Sequence, residues 1–303
     1  MKTLGELIAD LRTYLKKSFS VYDKIWIDRQ RKLSTEVMFS SIFSHVLAKD
    51  STNSKLMFSS LQSFCDLSVP EFSASTFSKG RKRFPFEFFV DLCQWLYKVS
   101  VPHVDMRWFG YSIFAIDSMK FSVPKELEDE GCDSMNDCET YYPQAMLTAA
   151  YDLQVGMIYD SVVSQHADER ANAYQLFESL PDNSLVVCDR GFPSFEFFYN
   201  AQKRGIKLLM RMSTANAPEE LQEFTDSGAK DEIITLTPST ATESKALRRG
   251  FIPIPVEVRA IRYHINNSEF IVVTTAMDDE ITYKDIANLY HARWGIEEEF
   301  KLN

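Results

Sequence analysis

Three carboxylates in this chain stand where a two-metal phosphoryl-transfer site needs them. Asp117 closes the apolar run Ser112-Ile113-Phe114-Ala115-Ile116, and Asp189 closes Ser184-Leu185-Val186-Val187-Cys188. Glu297 ends the late segment Leu289-Tyr290-His291-Ala292-Arg293-Trp294-Gly295-Ile296-Glu297. Mg²⁺ prefers hard oxygen ligands and takes few carboxylates per ion. Two strand-end aspartates and a helical glutamate are therefore a donor set for two Mg²⁺ ions, with Mn²⁺ able to substitute. Such a pair clamps the attacking and leaving oxygens of an in-line displacement at phosphorus. Singly, each residue has a plainer reading. A strand-end aspartate is commonly a turn or cap residue, and an Arg–Glu pair four positions apart is ordinary on a surface helix. The order of all three is what points to chemistry.

Spacing around the glutamate adds detail. Tyr290, Arg293 and Glu297 fall at i, i+3 and i+7, so a continuous helix presents them within about 60° of one another, with Glu298 and Glu299 turned away. On that face Glu297 ligates metal, Arg293 meets a phosphate with its forked guanidinium, and Tyr290 hydrogen-bonds a backbone oxygen. Arg190 follows Asp189 directly and reaches either a phosphate or a nearby carboxylate. The run Lys79-Gly80-Arg81-Lys82-Arg83 is a candidate phosphate-contacting patch, the alternative being a solvated turn between helices. His166 and His291 read as solvated or satisfied side chains rather than ligands.

The elements that must position these residues follow from periodicity. Residues 1–108 read as helical: apolar positions 86, 89, 90, 93, 96 and 97 keep a 3.6-residue period behind Pro85, which suits a first helical turn. Another helix covers Thr35 to Leu47, and Ser73 or Ser75 caps one leading into the basic patch. From 109 to 212 strands alternate with helices. Strands are expected at 111–117, 145–152, 156–164, 184–189 and 206–211, with helices from Asp168 to Leu180 and up to Arg204, and an acidic loop over 125–140. Three strands, then strand–helix–strand–helix, is the order of a ribonuclease-H-like sheet, whose first and fourth strands are neighbours. The fold class is thus α/β, with a helical N-terminal domain. Residues 213–279 read as a β-rich insertion with short runs at 232–236, 255–263 and 269–275, and 280–303 as the helix completing the core.

Bulk properties set limits. A chain of 303 residues suits about two domains. The N-terminus lacks a signal-peptide core and no run approaches the roughly 20 apolar residues of a membrane span, so the expected location is the cytoplasm, without a membrane partner. The five cysteines are odd in number and irregular in spacing, a poor zinc signature that favours free thiols. The net charge of −10 argues against nucleic acid until it is divided. Residues 1–110 carry 16 basic against 11 acidic side chains, whereas 111–303 carry 17 against 32, so the acidity sits with the proposed metal site.

Several ordered motifs carry a resemblance. Tyr142 through Leu153, Asp168-Glu169-Arg170-Ala171, Asp189-Arg190-Gly191-Phe192, and Tyr290 through Lys301 resemble bacterial insertion-sequence transposases of the DDE type. Within these the chain is most similar to the insertion-sequence-four family and its tyrosine–arginine–glutamate–lysine signature. Asp117 with Pro124 resembles the first-aspartate motif, although Ser118 replaces the usual glycine. The resemblance implies a ribonuclease-H-like core and metal-dependent cutting and joining of DNA at transposon ends. It maps Asp117, Asp189 and Glu297 onto the metal-binding carboxylates, and Tyr290 and Arg293 onto DNA contacts. Trp294 either helps position the DNA or packs in the core. The partners implied are double-stranded DNA at transposon ends and target DNA, with a homodimer in the complex, associated with the bacterial nucleoid. An aromatic of the insertion (Phe251, Tyr263 or Phe270) is available to hold a flipped base. The signature's lysine falls one position beyond Asn303, so the sequence reads as C-terminally truncated. That leaves as alternatives an inactive remnant that only binds DNA and a structure-specific nuclease on the same fold. A small-molecule metallo-hydrolase lacks any phosphate loop or nucleophile motif.

Overall fold

The computed structural model describes residues 3–27, 33–48, 73–101, 107–132, 142–214, 217–265 and 268–301, and for 298–301 the backbone alone. Cys65, Cys138 and the expected acidic loop beyond Cys132 lie outside these residues. The chain divides into two compact units, Met1–Leu96 and Tyr97–Asn303.

The first unit is helical. It contains α1 (Leu4–Trp26), α2 (Thr35–Ala48), α3 (Ala74–Arg81) and the greater part of α4 (Glu87–Ser100). Thr3 opens α1 through a capping box with Glu6, and Ser73, one of the two expected caps, accepts the Thr76 N–H at the start of α3. Helices α1, α2 and α4 meet in a core of Leu15, Phe19, Tyr22, Phe39, Phe88 and Leu92, where α4 turns in Phe88 and Leu92 while the expected positions 86, 90 and 93 are exposed. The basic run straddles the end of α3. Gly80 is its buried member, because a Cβ there would stand 2.9 Å from Met38 Sδ, while Lys79, Arg81, Lys82 and Arg83 are exposed.

The second unit is built on one eight-stranded sheet. Its strands are β1 (Ser112–Ser122), β2 (Gln144–Asp152), β3 (Met157–Ser164), β4 (Ser184–Cys188), β5 (Lys207–Arg211), β6 (Asp231–Leu236), β7 (Val256–Ile265) and β8 (Ser268–Thr274). They lie in the order β3-β2-β1-β4-β5-β8-β7-β6. The first three are antiparallel neighbours, and β4 and β5 then add in parallel. This is a ribonuclease-H-like core. The remaining strands continue the same sheet, because β8 pairs antiparallel with β5.

Helices cover both faces: α5 (Glu169–Phe177), α6 (Phe195–Lys203), α7 (Glu219–Ser227), α8 (Thr240–Arg249), α9 (Tyr283–Ala292) and α10 (Trp294–Lys301). Side chains alternate across a strand, and the cores obey this. Phe114, Ile116, Val186 and Cys188 pack with Ala173, Leu176 and Phe197 of α5 and α6. Ile113, Leu185 and Val187 pack with Ile286, Leu289 and Tyr290 of α9, and Ala115 and Ala149 with Ile296 of α10.

Three expectations need correction. First, β1 continues to Ser122, so Asp117 lies inside a strand; beyond it β1 keeps only its pairing with β2. Second, 213–279 holds two helices besides its strands; α7 is anchored by Leu221 and Phe224, α8 by Ala246. Third, the last helix is broken at Arg293, whose N–H bonds back to Tyr290 O at 3.3 Å before Ile296 N bonds to Arg293 O at 3.1 Å.

The start of α9 is fixed by a capping box. Thr282 N donates to Asp285 Oδ2 at 2.9 Å and Asp285 N to Thr282 Oγ1 at 3.3 Å. We expect Thr282→Ala to cost about 1 kcal/mol in urea unfolding at neutral pH. Hydrogen bonds from the Thr282 side chain and backbone hold the Asp285 carboxyl below its usual pKa. The capping contribution is therefore present above the ordinary aspartate range and lost as the carboxylate protonates, so the variant's deficit should shrink in acid.

Candidate active site

Strand parity decides where the two aspartates point. Asp117 follows Ile113 and Ala115 in alternation, and Asp189 follows Leu185 and Val187. Both therefore project to the face covered by α9 and α10, the helices that lead to Glu297. The β1–β4 register pairs Ser112 with Ser184 and ends with Ala115 opposite Val187. Carried two residues further, the same register sets Asp117 opposite Asp189.

Each aspartate has one oxygen tied to nearby backbone. Ser118 N donates to Asp117 Oδ1 at 2.9 Å, and Gly191 N to Asp189 Oδ1 at 2.7 Å. Glycine suits that turn, since a Cβ at Gly191 would stand 3.0 Å from the same Asp189 oxygen. Burial lifts the Asp117 pKa above its usual value; the Ser118 N–H and Arg293 pull it down, and the fields of Asp189 and Glu297 push it up.

The cation among these acids is Arg293. Its Nη1 lies 3.6 Å from Asp117 Oδ2 and its Nη2 2.5 Å from Glu297 Oε1. Only 7% of the residue is exposed, and its Nε is buried without a hydrogen-bond partner. Burial disfavours its charge, but Tyr290, Glu297 and Asp117 outweigh that and raise its pKa. The structure thus brings Asp117, Arg293 and Glu297 into contact, with Asp189 within their field. Among the described residues no three His, Cys, Asp or Glu side chains stand together as a ready-made cation cage. The two carboxylates on Arg293, with Asp189 near Asp117, are nevertheless the hard-oxygen chemistry that Mg²⁺ selects.

Other candidates fall variously. Tyr290, 5% exposed, belongs to the core, with the Arg293 guanidinium carbon 5.9 Å from its ring centroid. Trp294 is 54% exposed and meets His291 edge-on at 5.7 Å, so it is a surface aromatic beside the site rather than a core one. Arg190 is exposed next to Asp189. The insertion's aromatics are packed against protein: Tyr263 stacks on Phe270 at 5.4 Å, Arg211 covers Phe270 at 4.5 Å, and Phe251 is buried. His166 is exposed; His291 is partly buried, and burial with Arg211 and Arg293 lowers its pKa.

Sequence reasoning missed Glu169. This first residue of α5 is half-buried, and its pKa is raised by burial and then by Asp189 and Asp117, against Lys120 and Arg170. Its signal was present, an acid directly after the N-cap Asp168 at the head of a helix entering the sheet.

The structure of the piggyBac transposase synaptic complex with hairpin DNA is similar at 10% identity, covering 98% of this chain and 67% of that one, with a TM-score of 0.49. A search of curated proteins finds no match. The family profile described as the transposase DDE domain matches residues 108–302, from four residues before β1 through the whole of α10. By that match, which covers most of its length, the chain belongs to the DDE transposase family.

Proposed function

We propose that this protein is a transposase of the insertion-sequence-four type. It hydrolyses a phosphodiester at the ends of its element, and the freed 3′-hydroxyl then attacks a phosphodiester of a second strand, forming a new ester bond as that strand's own 3′-oxygen leaves as a hydroxyl. Asp117, Asp189 and Glu297 hold two Mg²⁺ ions, with Mn²⁺ as substitute. The observation that supports this reading is that the buried Arg293 guanidinium meets both Asp117 and Glu297, with Asp189 close enough to Asp117 to raise its pKa. When bound, the ions lower the pKa of the attacking water or hydroxyl and neutralise charge on the phosphate.

The chain's own residues do the rest. The Ser118 and Gly191 N–H groups orient the aspartate oxygens. Arg293, turned toward a phosphate, offers the forked geometry that fits it, and Arg190 adds charge beside Asp189. Exposed Trp294 positions the strand next to the scissile bond. Lys79, Arg81, Lys82 and Arg83 contact the phosphates of double-stranded DNA at the transposon ends, and the complex with ends and target is a homodimer in the bacterial cytoplasm, at the nucleoid.

The test begins with the DNA flanking the reading frame, whose inverted repeats supply the substrate. Labelled end DNA should be nicked at the repeat boundary in Mg²⁺ and joined to a target duplex. Binding without nicking in either Mg²⁺ or Mn²⁺ would overturn the assignment in favour of a non-catalytic DNA binder. Cutting indifferent to the repeats, with no joining, would favour a structure-specific nuclease.

A further inference from the structure

The backbone pairing that brings β1 and β4 together stops at Ala115 and Val187, before either aspartate. Beyond that point the ladder does not set the distance between Asp117 and Asp189. Two hydrogen-bonded paths do, and both lead to the same helix.

On one side, Ser118 donates its N–H to Asp117 Oδ1, and its hydroxyl lies 2.8 Å from Thr148 Oγ1 on β2. Thr148 in turn accepts from Asn172 Nδ2 of α5 at 3.0 Å, and the same amide reaches Ser164 Oγ on β3 at 2.8 Å. Asn172 is 3% exposed and Thr148 fully buried, so this chain is shielded from competing water. On the other side, Gly191 donates its N–H to Asp189 Oδ1, and its carbonyl accepts from Arg170 Nη2 of α5 at 2.6 Å. The arrangement is symmetrical in kind. Each aspartate oxygen is held by the N–H of a following residue, and that residue is tied back to α5.

We propose that α5 is the yoke of the metal site, and that Arg170 and Asn172 are positioning residues that set the Asp117–Asp189 separation. This inference rests on the metal-site reading above. Neither residue is assigned contact with metal or DNA; both act through Gly191 and through Thr148 and Ser118. Groups that orient ligands in this way typically change metal affinity or activity about 10–100-fold when removed. The loss should depend on the ion, because Mg²⁺ demands near-ideal octahedral geometry whereas a more tolerant ion does not.

The experiment uses the protein and four variants, Arg170→Met, Arg170→Lys, Asn172→Ala and, as the control for the site itself, Asp117→Asn. It compares Mg²⁺- and Mn²⁺-supported cleavage of end DNA, thermal unfolding, and Mn²⁺ binding by electron paramagnetic resonance. Arg170→Met keeps the stem and lacks the donor. It should lose on the order of 30-fold in Mg²⁺ and about 3-fold in Mn²⁺, raising the Mn²⁺/Mg²⁺ rate ratio about tenfold. Arg170→Lys restores a donor and should bring the ratio most of the way back. Asn172→Ala should raise the ratio likewise, and Arg170→Met serves alone if that buried change prevents folding. Equal losses in the two ions, or none, would overturn the yoke while leaving the site reading intact, provided the wild type binds Mn²⁺ and Asp117→Asn does not. Wild-type protein that binds no Mn²⁺ with or without DNA would overturn both.

Discussion

Replacing Asp117 with alanine should abolish Mg²⁺-dependent cleavage of end DNA, a loss on the order of 10³-fold or more. A site of few carboxylates has no spare donor, so the same is expected of Asp189→Ala and Glu297→Ala. The fold should survive. Burial already pushes the Asp117 pKa up, which means the folded chain holds this charge at a cost. On its removal Arg293 loses its longer contact and keeps Glu297, so in metal-free protein the two effects oppose and the melting temperature should stay near that of the wild type. End-cleavage kinetics beside thermal unfolding decide the matter: wild-type rates in any one of the three variants would sink the assignment, and collapse of the fold would instead mark the residue as structural.

Arg293→Gln is expected to act on the opposite quantity. Without the guanidinium, Asp117 and Glu297 face each other with no cation between them. Stripping one partner from a buried ion pair usually costs several kcal/mol. Here the acidic side chains remain 23% and 35% exposed, so solvent screening reduces the expected loss to about 2 kcal/mol. Added Mg²⁺ should recover much of it, since an ion that binds only the folded state stabilises by about 2.7 kcal/mol at a hundred times its dissociation constant. Denaturant unfolding with and without Mg²⁺ provides the check. A larger Mg²⁺ response in the variant than in the wild type is the expected result; identical responses would mean that Arg293 does not stand in for the ion.

Much of this site could be read from the chain because its elements are locally consistent. The runs before Asp117 and Asp189 are apolar enough to be strands buried on both faces, and their parity alone fixes which way the next residue points. The cap at Ser73 and the apolar period behind Pro85 announced their helices, although the buried side of the second runs through Phe88 and Leu92 and leaves Cys93 exposed. What escaped was decided by tertiary contact. β1 runs on past Asp117 through polar Ser118 and Lys120 because β2 keeps pairing with it, and no local pattern reveals a partner. Helices α7 and α8 are mostly polar and hold to the sheet by one or two apolar anchors each, too few to show a period. The break at Arg293 carries no glycine or proline at that position; the guanidinium still meets Glu297 because a one-residue tightening barely displaces a long side chain. Glu169 sat within a recognised motif, but its place beside the aspartates depends on how α5 is tied to β2 and to the turn after β4.

The pairing of β8 with β5 has a consequence for how this protein can vary. The chain leaves the core after Arg211 and re-enters beside the same strand, with Met212 N bonded to Ile271 O at 2.9 Å and Thr275 N to Leu208 O at 3.0 Å. Departure and return therefore share one doorway. Everything between, from α7 through β6 and α8 to β7, is a loop in the topological sense, whose length leaves the position of its own ends unchanged. The path from Thr275 to Glu297 meets this flank at β7, where Arg259, held by Asp231 of β6, donates to Ile281 O at 2.6 Å, so natural variation or engineering that spares this link can reshape the outer flank while the reacting centre keeps its geometry.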